Sequence, residues 1–532
     1  MHKFEAIVIG SGPSSVICAQ KLVEKKINTL MVDYGLEIDE NKKKLIKELS
    51  KLKKNEWNSF YRNKLDGDKN YRDNNLPIKL SFGSSFPYDN SSNKLKINTK
   101  NIETYPSLAK GGLSNVWGGS VLPYREEDFK SWPINLNDLK DYYSYVANKI
   151  NISTFKNDLE NHFPIYASNV LFLDNSKQSK ILSKKFLKNN HILNREGIFI
   201  GNSRLAVNQN KLECLQCGSC LYGCVYSLIY NSGDELENLK KNKYFEYKKN
   251  LIVEKFIEEK DSVIIICKNK NNEIIKLISD RIYIGAGYLS TAKIVLNSYN
   301  VNFEKKRTTA NDSQYFFFPA LMFSSSKKIL SENLHTLSQF FLEIKNKNIS
   351  KHMSHLQIYT FNDLFEKFIK NKLSFFYPLI KKMLEKFLYG RIIFIQGYLH
   401  SDISSLATIK IQDYNNVNHL EVNKVENYTS KNYIKKILSL LKKNSKNLGF
   451  FPLSIFLKIG NYGSGYHSGG TFKMSNENDK IGKSDKWGRP FGFKKIHLID
   501  SSILPSIPST TITFTIMANA ARIADNHNKY ES

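Results

Sequence analysis

The first apolar positions of the chain are spaced as a strand, a helix and a second strand. Residues 5–35, EAIVIGSGPSSVICAQKLVEKKINTLMVDYG, run from an apolar strand through a glycine turn and an amphipathic helix into an apolar strand that ends at Asp33. Gly10 permits the tight turn, and Gly12 lets backbone amides approach a pyrophosphate at the helix N-terminus. Ser15 holds the third glycine position, where a small side chain allows close helix–strand packing. The pattern predicts dinucleotide binding, with Asp33 accepting bonds from a ribose; a purely structural glycine turn is the alternative.

The centre of the chain combines strand-like and helix-like spacing. Residues 355–361, 391–400 and 406–412 alternate between apolar and polar, which predicts an antiparallel sheet. Residues 361–390 form two amphipathic helical stretches broken at Pro378, with aromatic residues set among lysines. We expect an α+β substrate-binding unit here. Its helices suit either a cover over that unit or a peripheral contact with a membrane.

Two further stretches have the composition of ligand-binding backbone. Residues 104–124 hold the pairs Gly111-Gly112 and Gly118-Gly119 around Ser114 and Trp117, and such glycines let backbone lie against a flat ligand. Near the C-terminus, IHLID predicts a buried strand, two prolines mark a loop, and helical spacing begins at about residue 511. The free amides at that helix start can face an anion or an electron-rich ring edge.

Bulk composition narrows the partners and the location. The 532 residues carry 78 Lys+Arg against 50 Asp+Glu, a net charge of +28, but the excess is spread along the chain. We therefore expect a lysine-rich solvated surface and no nucleic acid partner, since no nucleic-acid-binding motif accompanies the charge. The first residues show no signal-peptide pattern, and no apolar run reaches the roughly 18–20 residues of a spanning helix. A cytoplasmic protein is expected, with attachment to the inner face of the membrane as a variant of that expectation.

Four of the six cysteines lie within residues 213–226, ECLQCGSCLYGCVY. The CxxCxxCxxxC spacing of Cys214, Cys217, Cys220 and Cys224 matches an iron–sulfur run, in which soft thiolates bind iron. Disulfides are disfavoured in a chain without an export signal, and structural zinc normally draws on two separated knuckles. The spacing favours a 3Fe-4S or 4Fe-4S cluster, while a zinc site and an unmetallated loop stay open.

With these segments in order, the chain resembles the glucose-methanol-choline (GMC) family of flavin oxidoreductases. The matching pieces are GSGPSS with Asp33, GGLSNVWGG, WPINLNDLKDYYSYV, HSGGTFKM, LIDSSILP and TITFTIMANAARIAD. The resemblance implies an α/β fold whose Rossmann-like FAD-binding domain spans 1–305, including the cysteine-rich loop 213–226, and 456–532. Residues 306–455 would form a second, α+β substrate domain built on an antiparallel sheet.

The resemblance also implies which residues contact FAD. The implied contacts come from the two glycine segments, from the strand near the adenine and from the C-terminal loop. They are Gly10, Gly12, Ser15, Asp33, Gly111, Gly112, Ser114, Trp117, Gly118, Val253, Asp500, Ser501, Thr511, Ile512 and Thr513.

The implied chemistry is oxidation of a CH–OH group by hydride transfer to flavin N5 while a base removes the hydroxyl proton. His467 stands where the family keeps its catalytic histidine, and an imidazole suits this role near neutral pH. Thr511 stands where the family usually has a second His or an Asn; its hydroxyl can orient a substrate oxygen but cannot serve as the base. His400 is a speculative assistant, with a purely structural role as the alternative.

The expected protein is thus an FAD-dependent dehydrogenase for a sugar, polyol or other small alcohol. The cysteine run resembles that of bacterial sugar dehydrogenases of this family that carry an iron–sulfur cluster, which would pass electrons to an acceptor protein or a quinone. Two alternatives within flavoproteins are an oxygen-using or long-chain alcohol oxidase without a cluster, and a noncatalytic flavin-bearing electron-transfer subunit. A nucleic-acid or lipid binder is the third.

Overall fold

The computed structural model describes residues 3–66, 78–210, 212–477 and 479–528. The strands among them are, in chain order, β1 (Lys3–Ile9), β2 (Thr29–Val32), β3 (Ile97–Lys100), β4 (Ile152–Ser153), β5 (Ile198–Asn202), β6 (Leu205–Ala206), β7 (Phe245–Lys248), β8 (Leu251–Glu258), β9 (Val263–Asn269), β10 (Ile274–Ile284), β11 (Arg307–Asp312), β12 (Tyr315–Met322), β13 (Phe340–Ile344), β14 (Ser354–Thr360), β15 (Ile392–Tyr398), β16 (Leu406–Tyr414), β17 (Val417–Val425), β18 (Phe450–Pro452), β19 (Lys458–Ile459), β20 (Ser468–Gly469), β21 (Lys473–Met474), β22 (Lys483–Ser484) and β23 (Ile496–Leu498). The α-helices are, in chain order, α1 (Pro13–Glu24), α2 (Glu40–Leu49), α3 (Ser59–Lys64), α4 (Ser91–Lys94), α5 (Lys140–Ile150), α6 (Lys177–Arg195), α7 (Ser232–Leu239), α8 (Tyr288–Ser298), α9 (Asp363–Leu373), α10 (Tyr377–Leu384), α11 (Ser430–Lys443), α12 (Ser445–Leu448) and α13 (Thr513–Asp525).

A parallel sheet brings the N-terminal and C-terminal parts of the chain together. Its strand order is β7-β2-β1-β10, with β23 also parallel to β10, and the antiparallel pair β9-β8 extends it. The central strand β1 is buried over its last four residues, as expected where helices cover both faces of a parallel sheet. Helices α1 and α13 pack into this same core. The carboxyl ends of β1, β2 and β10 therefore meet at one edge.

A five-stranded sheet, in the order β20-β11-β16-β17-β3, lies against this dinucleotide-type unit. Apolar residues of β16 and β17 belong to the same core as helix α8. The predicted strand over 406–412 is thus correct as a strand, but its partners are β11 and β17 rather than the strands over 355–361 and 391–400. Alternation along a strand fixes which face is buried and leaves the neighbouring strand undetermined.

The second unit is a seven-stranded antiparallel sheet. Its order is β18-β12-β15-β14-β13-β5, with β19 beside β12. One face packs on helices α6 and α11 through Phe186, Phe316, Ile395 and Ile437. The expected architecture, an α/β fold with a second unit built on an antiparallel sheet, is confirmed.

Segments cross between the predicted domains. Helix α6 and strand β5, which lie before residue 305, complete the antiparallel unit, whereas β16 and β17 pack on the core of the dinucleotide-type unit. The sheets thus include strands from both sides of residues 305 and 455. The domain boundaries at these two positions stay a prediction.

The helical stretch at the centre contains two helices, as expected, but they are separated at Ser374–Phe376 rather than at Pro378. Helix α9 ends at Leu373, a 3-10 turn spans Ser374–Phe376, and α10 is followed by a π-helical segment, Glu385–Tyr389. Pro378 lies in the first turn of α10, where its missing N–H costs no hydrogen bond. Among the described residues, no helix has both the length and the apolar character needed to cross a membrane.

Candidate active site

One cavity of about 790 Å³ lies between the carboxyl edge of the parallel sheet and the antiparallel sheet. Its volume is in the range of sites for cofactors and small molecules. One end, the cofactor end, is lined by the glycine turn after β1, the glycine-rich segment 112–118 and the C-terminal loop. The other end, the substrate end, is lined mainly by side chains of the antiparallel sheet, among them Tyr315, Gln357, Tyr359 and Tyr398.

Glycine is favoured at the two positions of the turn after β1 for different physical reasons. Gly10 has a φ of +93°, and a Cβ there would lie 2.7 Å from the Gly285 carbonyl oxygen, so the turn itself requires glycine. A Cβ on Gly12 would meet no atom within 4 Å, which leaves its backbone open to the cavity. Helix α1 starts directly after it without a side-chain cap, so its first amides are available to an anion.

Asp33 closes β2 at the wall of the cavity. Ser11 Oγ donates a hydrogen bond to its carboxylate, and the Tyr247 hydroxyl lies 3.5 Å from the same oxygen. Burial raises the pKa of Asp33 to about 7, while these hydrogen bonds act in the opposite direction. The carboxylate can accept further hydrogen bonds from a ribose, and Val253 lines the same part of the wall.

The glycine-rich segment lies over the turn after β1. The Gly111 N–H donates to Ser11 Oγ at 2.9 Å, and a Cβ on Gly112 would sit 3.4 Å from Gly12 Cα. Ser114 Oγ donates to the Gly111 carbonyl at 2.6 Å, and Trp117 Nε1 donates to the Tyr230 carbonyl at 2.8 Å. The embedded tryptophan thus anchors a segment whose backbone faces the cavity.

Two of the predicted cofactor residues lie behind the wall rather than in it. Ser15 Oγ donates to the Gly285 carbonyl at 3.1 Å, so it joins α1 to the end of β10. Gly111 has a φ of +83°, and a Cβ there would lie 2.7 Å from Asn231 Oδ1. Both residues shape the cradle through packing. The other predicted residues line the cavity, namely Gly10, Gly12, Asp33, Gly112, Ser114, Trp117, Gly118, Val253, Asp500, Ser501, Thr511, Ile512 and Thr513.

The C-terminal loop is fixed at both ends. Asp500 Oδ2 accepts hydrogen bonds from the Gly287 N–H at 2.8 Å and from Thr291 Oγ1 at 2.6 Å, which ties the loop to α8. Thr511 Oγ1 accepts the Leu122 N–H at 2.9 Å. The Thr511 hydroxyl therefore holds backbone in place, and helix α13 begins two residues later.

His467 reaches the cavity where the two ends meet. Its ring stacks on Tyr398 with centroids 4.5 Å apart, and its backbone carbonyl accepts the Ser313 N–H at 3.0 Å. Its Nδ1 is buried and has no hydrogen-bond partner among the described residues. Burial lowers the pKa of His467 to about 3, with a smaller contribution from His355. The imidazole is therefore neutral, with a nitrogen that is free to form a hydrogen bond.

A buried polar network joins the wall of the substrate end to the side chains behind it, and no sequence pattern predicted it. Nδ1 of His355 is 2.5 Å from Oε1 of Glu343, and both side chains are buried. Nε2 of Gln357 lies 3.1 Å from Nε2 of His355, and the Tyr359 hydroxyl donates to Gln357 Oε1 at 2.8 Å. His355, Gln357 and Tyr359 occupy alternate positions of β14, so their side chains lie on one face of the sheet. This spacing indicates a network only when the neighbouring strands are known.

His400, the speculative assistant, lies outside the cavity wall. Its Nδ1 accepts the Asp402 N–H at 3.1 Å, and its ring stacks on His352 with centroids 3.7 Å apart and planes at 6°. Ligand atoms of these three residues lie within 4.8 Å of one another. Nitrogen lone pairs lie in the planes of their rings, so two parallel rings do not aim them at a common point. The structural role is the one these contacts support.

The cysteine-rich loop reaches the wall of the cavity. Cys214, Cys217, Cys220 and Cys224 are free thiols, and the neighbouring Leu221 and Tyr222 line the cavity. Burial raises the pKa of the Cys217 thiol to about 12. The Leu228 N–H lies 3.4 Å from Cys224 Sγ, the kind of contact that stabilises a thiolate.

Lys79 lies between this loop and the glycine-rich segment. It lines the cavity, and its Nζ donates to the Trp117 carbonyl at 2.5 Å. Burial lowers the pKa of Lys79 to about 8, and the proximity of Cys220 and Cys224 opposes that shift. The cysteine-rich loop thus reaches the cavity through Leu221 and Tyr222, and Lys79 lies near its thiols.

The fold and the site define an α/β protein of two units that share one ligand cavity. Solved structures with this fold include pyridoxine 4-oxidase from Mesorbium loti (TM-score 0.61, 10% identity, 99% of each chain covered) and two variants of formate oxidase from Aspergillus oryzae RIB40. The two variants give TM-scores of 0.62 and 0.63 with 10% and 11% identity, over 99% of this chain and 98% of theirs. At this identity the likeness establishes the fold.

Sequence comparison identifies the C-terminal segment. Residues 454–520 match the family model described as GMC oxidoreductase, and this range contains His467, Asp500 and Thr511. A second similarity, 26% identity over 226 residues, is to the DNA-directed RNA polymerase subunit beta'' of Marchantia polymorpha. That alignment covers 40% of this chain and 13% of the polymerase subunit, so it assigns no activity here.

Proposed function

We propose that this protein is an FAD-dependent oxidoreductase of the GMC type that oxidises a CH–OH group of a small alcohol. The observation that carries the proposal is the shared cavity: the glycine cradle after β1 and the unpartnered imidazole of His467 line one space of about 790 Å³. The match of residues 454–520 to the GMC oxidoreductase model supports it.

The cofactor end fits a dinucleotide. Gly12 leaves room that a side chain would fill, the first amides of α1 are uncapped, and Asp33 offers a carboxylate at the end of β2. These groups would hold the pyrophosphate and the ribose of FAD. The backbone of 112–118 and the start of α13 would hold the ring system. Bound FAD supplies the hydride acceptor.

His467 would accept the hydroxyl proton of the substrate. Its neutral imidazole has a buried nitrogen without a partner, so it can take a hydrogen bond from a substrate hydroxyl and then the proton. Tyr398 fixes the plane of the ring by stacking. Thr511 would act on position, because its hydroxyl oxygen is already engaged by the Leu122 N–H.

The walls of the substrate end suit a sugar, a polyol or another alcohol that presents both apolar and polar surface. Aromatic rings of Tyr315, Phe317 and Tyr398 lie beside the amides of Gln357 and Gln396. Aromatic faces pack on the C–H surface of such a molecule, and amides bind its remaining hydroxyl groups.

The four cysteines would hold an iron–sulfur cluster that passes electrons to an acceptor protein or a quinone. The CxxCxxCxxxC spacing supports a cluster over a structural zinc site, which usually draws on two separated knuckles. Leu221 and Tyr222 of the same loop line the cavity, so a cluster held there would lie near the bound flavin.

An alcohol oxidase with empty thiols is the second candidate, and the oxidases that share the fold favour it. Iron and acid-labile sulfide measured in anaerobically purified protein separate the two. A dehydrogenase retains both and loses them when Cys217 and Cys220 are replaced by Ser, whereas protein that contains neither and consumes oxygen with an alcohol is an oxidase.

The test of the enzyme itself is anaerobic reduction of bound flavin by a panel of sugars and alcohols, with His467→Gln as the matched variant. We expect wild-type protein to bleach with at least one donor and the variant to bind FAD and stay oxidised. If the variant is reduced as fast as wild type, His467 is not the base. If no donor reduces wild-type protein while a reduced electron carrier does, the noncatalytic electron-transfer subunit is the better description.

A further inference from the structure

We propose that the face formed by helix α10, the 3-10 turn before it and the π-helical segment after it docks on a membrane surface that carries anionic lipid. Five large apolar side chains on this face, here called the aromatic cap, are 53–80% exposed. They are Phe375, Phe376, Leu379, Met383 and Phe387. The opposite side of the same segment packs into its own core, which includes Tyr377, Leu384 and Tyr389. The exposed side chains therefore contribute nothing to that packing, and a cluster of this kind marks an interaction surface.

The charges around the aromatic cap select the chemistry of the partner. Lys370, Lys381, Lys382 and Lys386 are exposed on the same stretch, against Glu385 as the exposed acid. Lys381 lies 3.6 Å from Glu385, and the Lys386 ammonium lies 5.1 Å from the centre of the Phe387 ring. Aromatic and aliphatic groups interleaved with lysines match the boundary between acyl chains and anionic headgroups. The net charge of +28 on the whole chain acts in the same direction.

The aromatic cap lies next to a helix that lines the cavity. Leu364, Phe365, Lys367 and Phe368, on the inner side of α9, line the substrate end of the cavity. The Lys458 ammonium lies 5.5 Å from the centre of the Phe368 ring. In the 3-10 turn just before Lys458, the side chain of Ile455 is 86% exposed. Docking through the cap would therefore bring this wall of the cavity to the lipid interface.

The mode of attachment is peripheral. Since no helix of the described residues can cross a membrane, the aromatic cap would enter the headgroup region by a few side chains. This inference rests on the exposed face alone and stands or falls separately from the proposed catalytic activity.

The test is co-sedimentation of the full-length, FAD-loaded protein with vesicles of phosphatidylcholine, alone or mixed in equal parts with phosphatidylglycerol. The cap variant combines Phe375→Ser, Phe376→Ser and Leu379→Ser. The matched control combines Leu187→Ser, Ile274→Ser and Tyr428→Ser, whose side chains are comparably exposed (64–77%) elsewhere on the surface. A charge variant combines Lys370→Glu, Lys382→Glu and Lys386→Glu.

We expect wild type and the control to bind the mixed vesicles and the cap variant to partition about 100-fold less, because three buried apolar side chains are lost from the interface. The charge variant should lose the preference for phosphatidylglycerol, and salt should weaken binding of wild type. Absence of wild-type binding to mixed vesicles overturns the proposal, as does an equal loss in the control. Light scattering tests whether the face binds a second copy of the chain instead. The proposal is also overturned if wild type is a dimer that binds no vesicles and the cap variant is a monomer.

Discussion

The two ends of the cavity are built by different means. The cofactor end is made of backbone: Gly10 and Gly12 after β1, and the segment 112–118 laid over them. The substrate end is made of side chains that project from strands of an antiparallel sheet, with Tyr398 stacked on His467 and Gln357 joined to His355. At the first end a residue matters because of the conformation or space it allows. At the second it matters because of the chemical group it carries.

The largest expected effect comes from the backbone of the cofactor end. Gly10→Val places a branched side chain at a φ of +93° and against the Gly285 carbonyl oxygen. We expect a loss of roughly 4 kcal/mol in the free energy of unfolding, from backbone strain and overpacking together, with little folded protein recovered. Urea unfolding monitored by circular dichroism measures it.

Gly12→Ala is the matched control for Gly10. Its φ of −65° suits any residue, and no atom lies within 4 Å of the added Cβ. The free energy of unfolding of the apoprotein should change by less than about 0.5 kcal/mol, while FAD binds about tenfold or more weakly because the methyl group occupies ligand space. Equal losses of stability in the two variants would show that the glycines have one role and not two.

The next largest effect concerns the substrate end. His467→Gln removes the proton acceptor and retains a polar side chain of similar length, so we expect flavin reduction by the best alcohol to fall about 10²- to 10⁴-fold. FAD content should be unchanged. Stopped-flow absorbance under anaerobic conditions gives the rate, and a fall of less than about tenfold would argue that another group takes the proton.

Thr511→Val should affect stability more than chemistry. The valine leaves the Leu122 N–H without its acceptor at a buried position, which costs about 1–3 kcal/mol. Thr511→Ser keeps the hydroxyl and should behave as wild type in thermal unfolding and in flavin reduction. A Thr511→Ser protein that is stable but slow to reduce its flavin would assign the Thr511 methyl group a role in placing the substrate.

The pH dependence of stability reports on the environment of His467. Its pKa is about 3 in the folded protein and ordinarily about 6.5, so below about pH 6.5 the unfolded chain binds a proton that the folded chain does not. Folding is therefore destabilised as the pH falls. Between about pH 7.5 and 5.5, wild type should lose about 1 kcal/mol more than His467→Gln in its free energy of unfolding. Parallel losses would mean that His467 titrates normally and is well solvated.

The smallest effect is expected at Ser15. Ser15→Ala removes a hydrogen bond to the Gly285 carbonyl but keeps a small side chain between α1 and the end of β10. The free energy of unfolding should fall by about 1 kcal/mol and FAD affinity should stay nearly the same. A large loss of FAD affinity would show that the hydroxyl contacts the ligand directly.

The comparison also explains how far the sequence predicts the site. The βαβ unit was predicted over 5–35 and is formed by β1, α1 and β2, because its turn depends on neighbouring residues. The helix start expected at about residue 511 is observed at Thr513 for the same reason. Ser15 and Gly111 line up with the motif but lie behind the wall, since a motif gives conformation more directly than contact.

The substrate end was beyond prediction. His355 and Tyr398 are opposite one another because β14 pairs with β15 in one register, and Glu343 reaches His355 from β13. A pattern of alternating residues does not specify that register or the order of the strands. Lys79 is a similar case, because a lone lysine in a loop carries no signal until the fold places it between Trp117 and the cysteine-rich loop.

The most direct test of the central claim is an anaerobic absorbance titration of the FAD-loaded protein with a panel of sugars and alcohols, repeated with His467→Gln. We expect one flavin per chain in both proteins, full bleaching of wild type by at least one donor, and no bleaching of the variant on the same timescale. Protein that takes up no flavin, or a variant whose flavin is reduced as readily as that of wild type, would contradict the account.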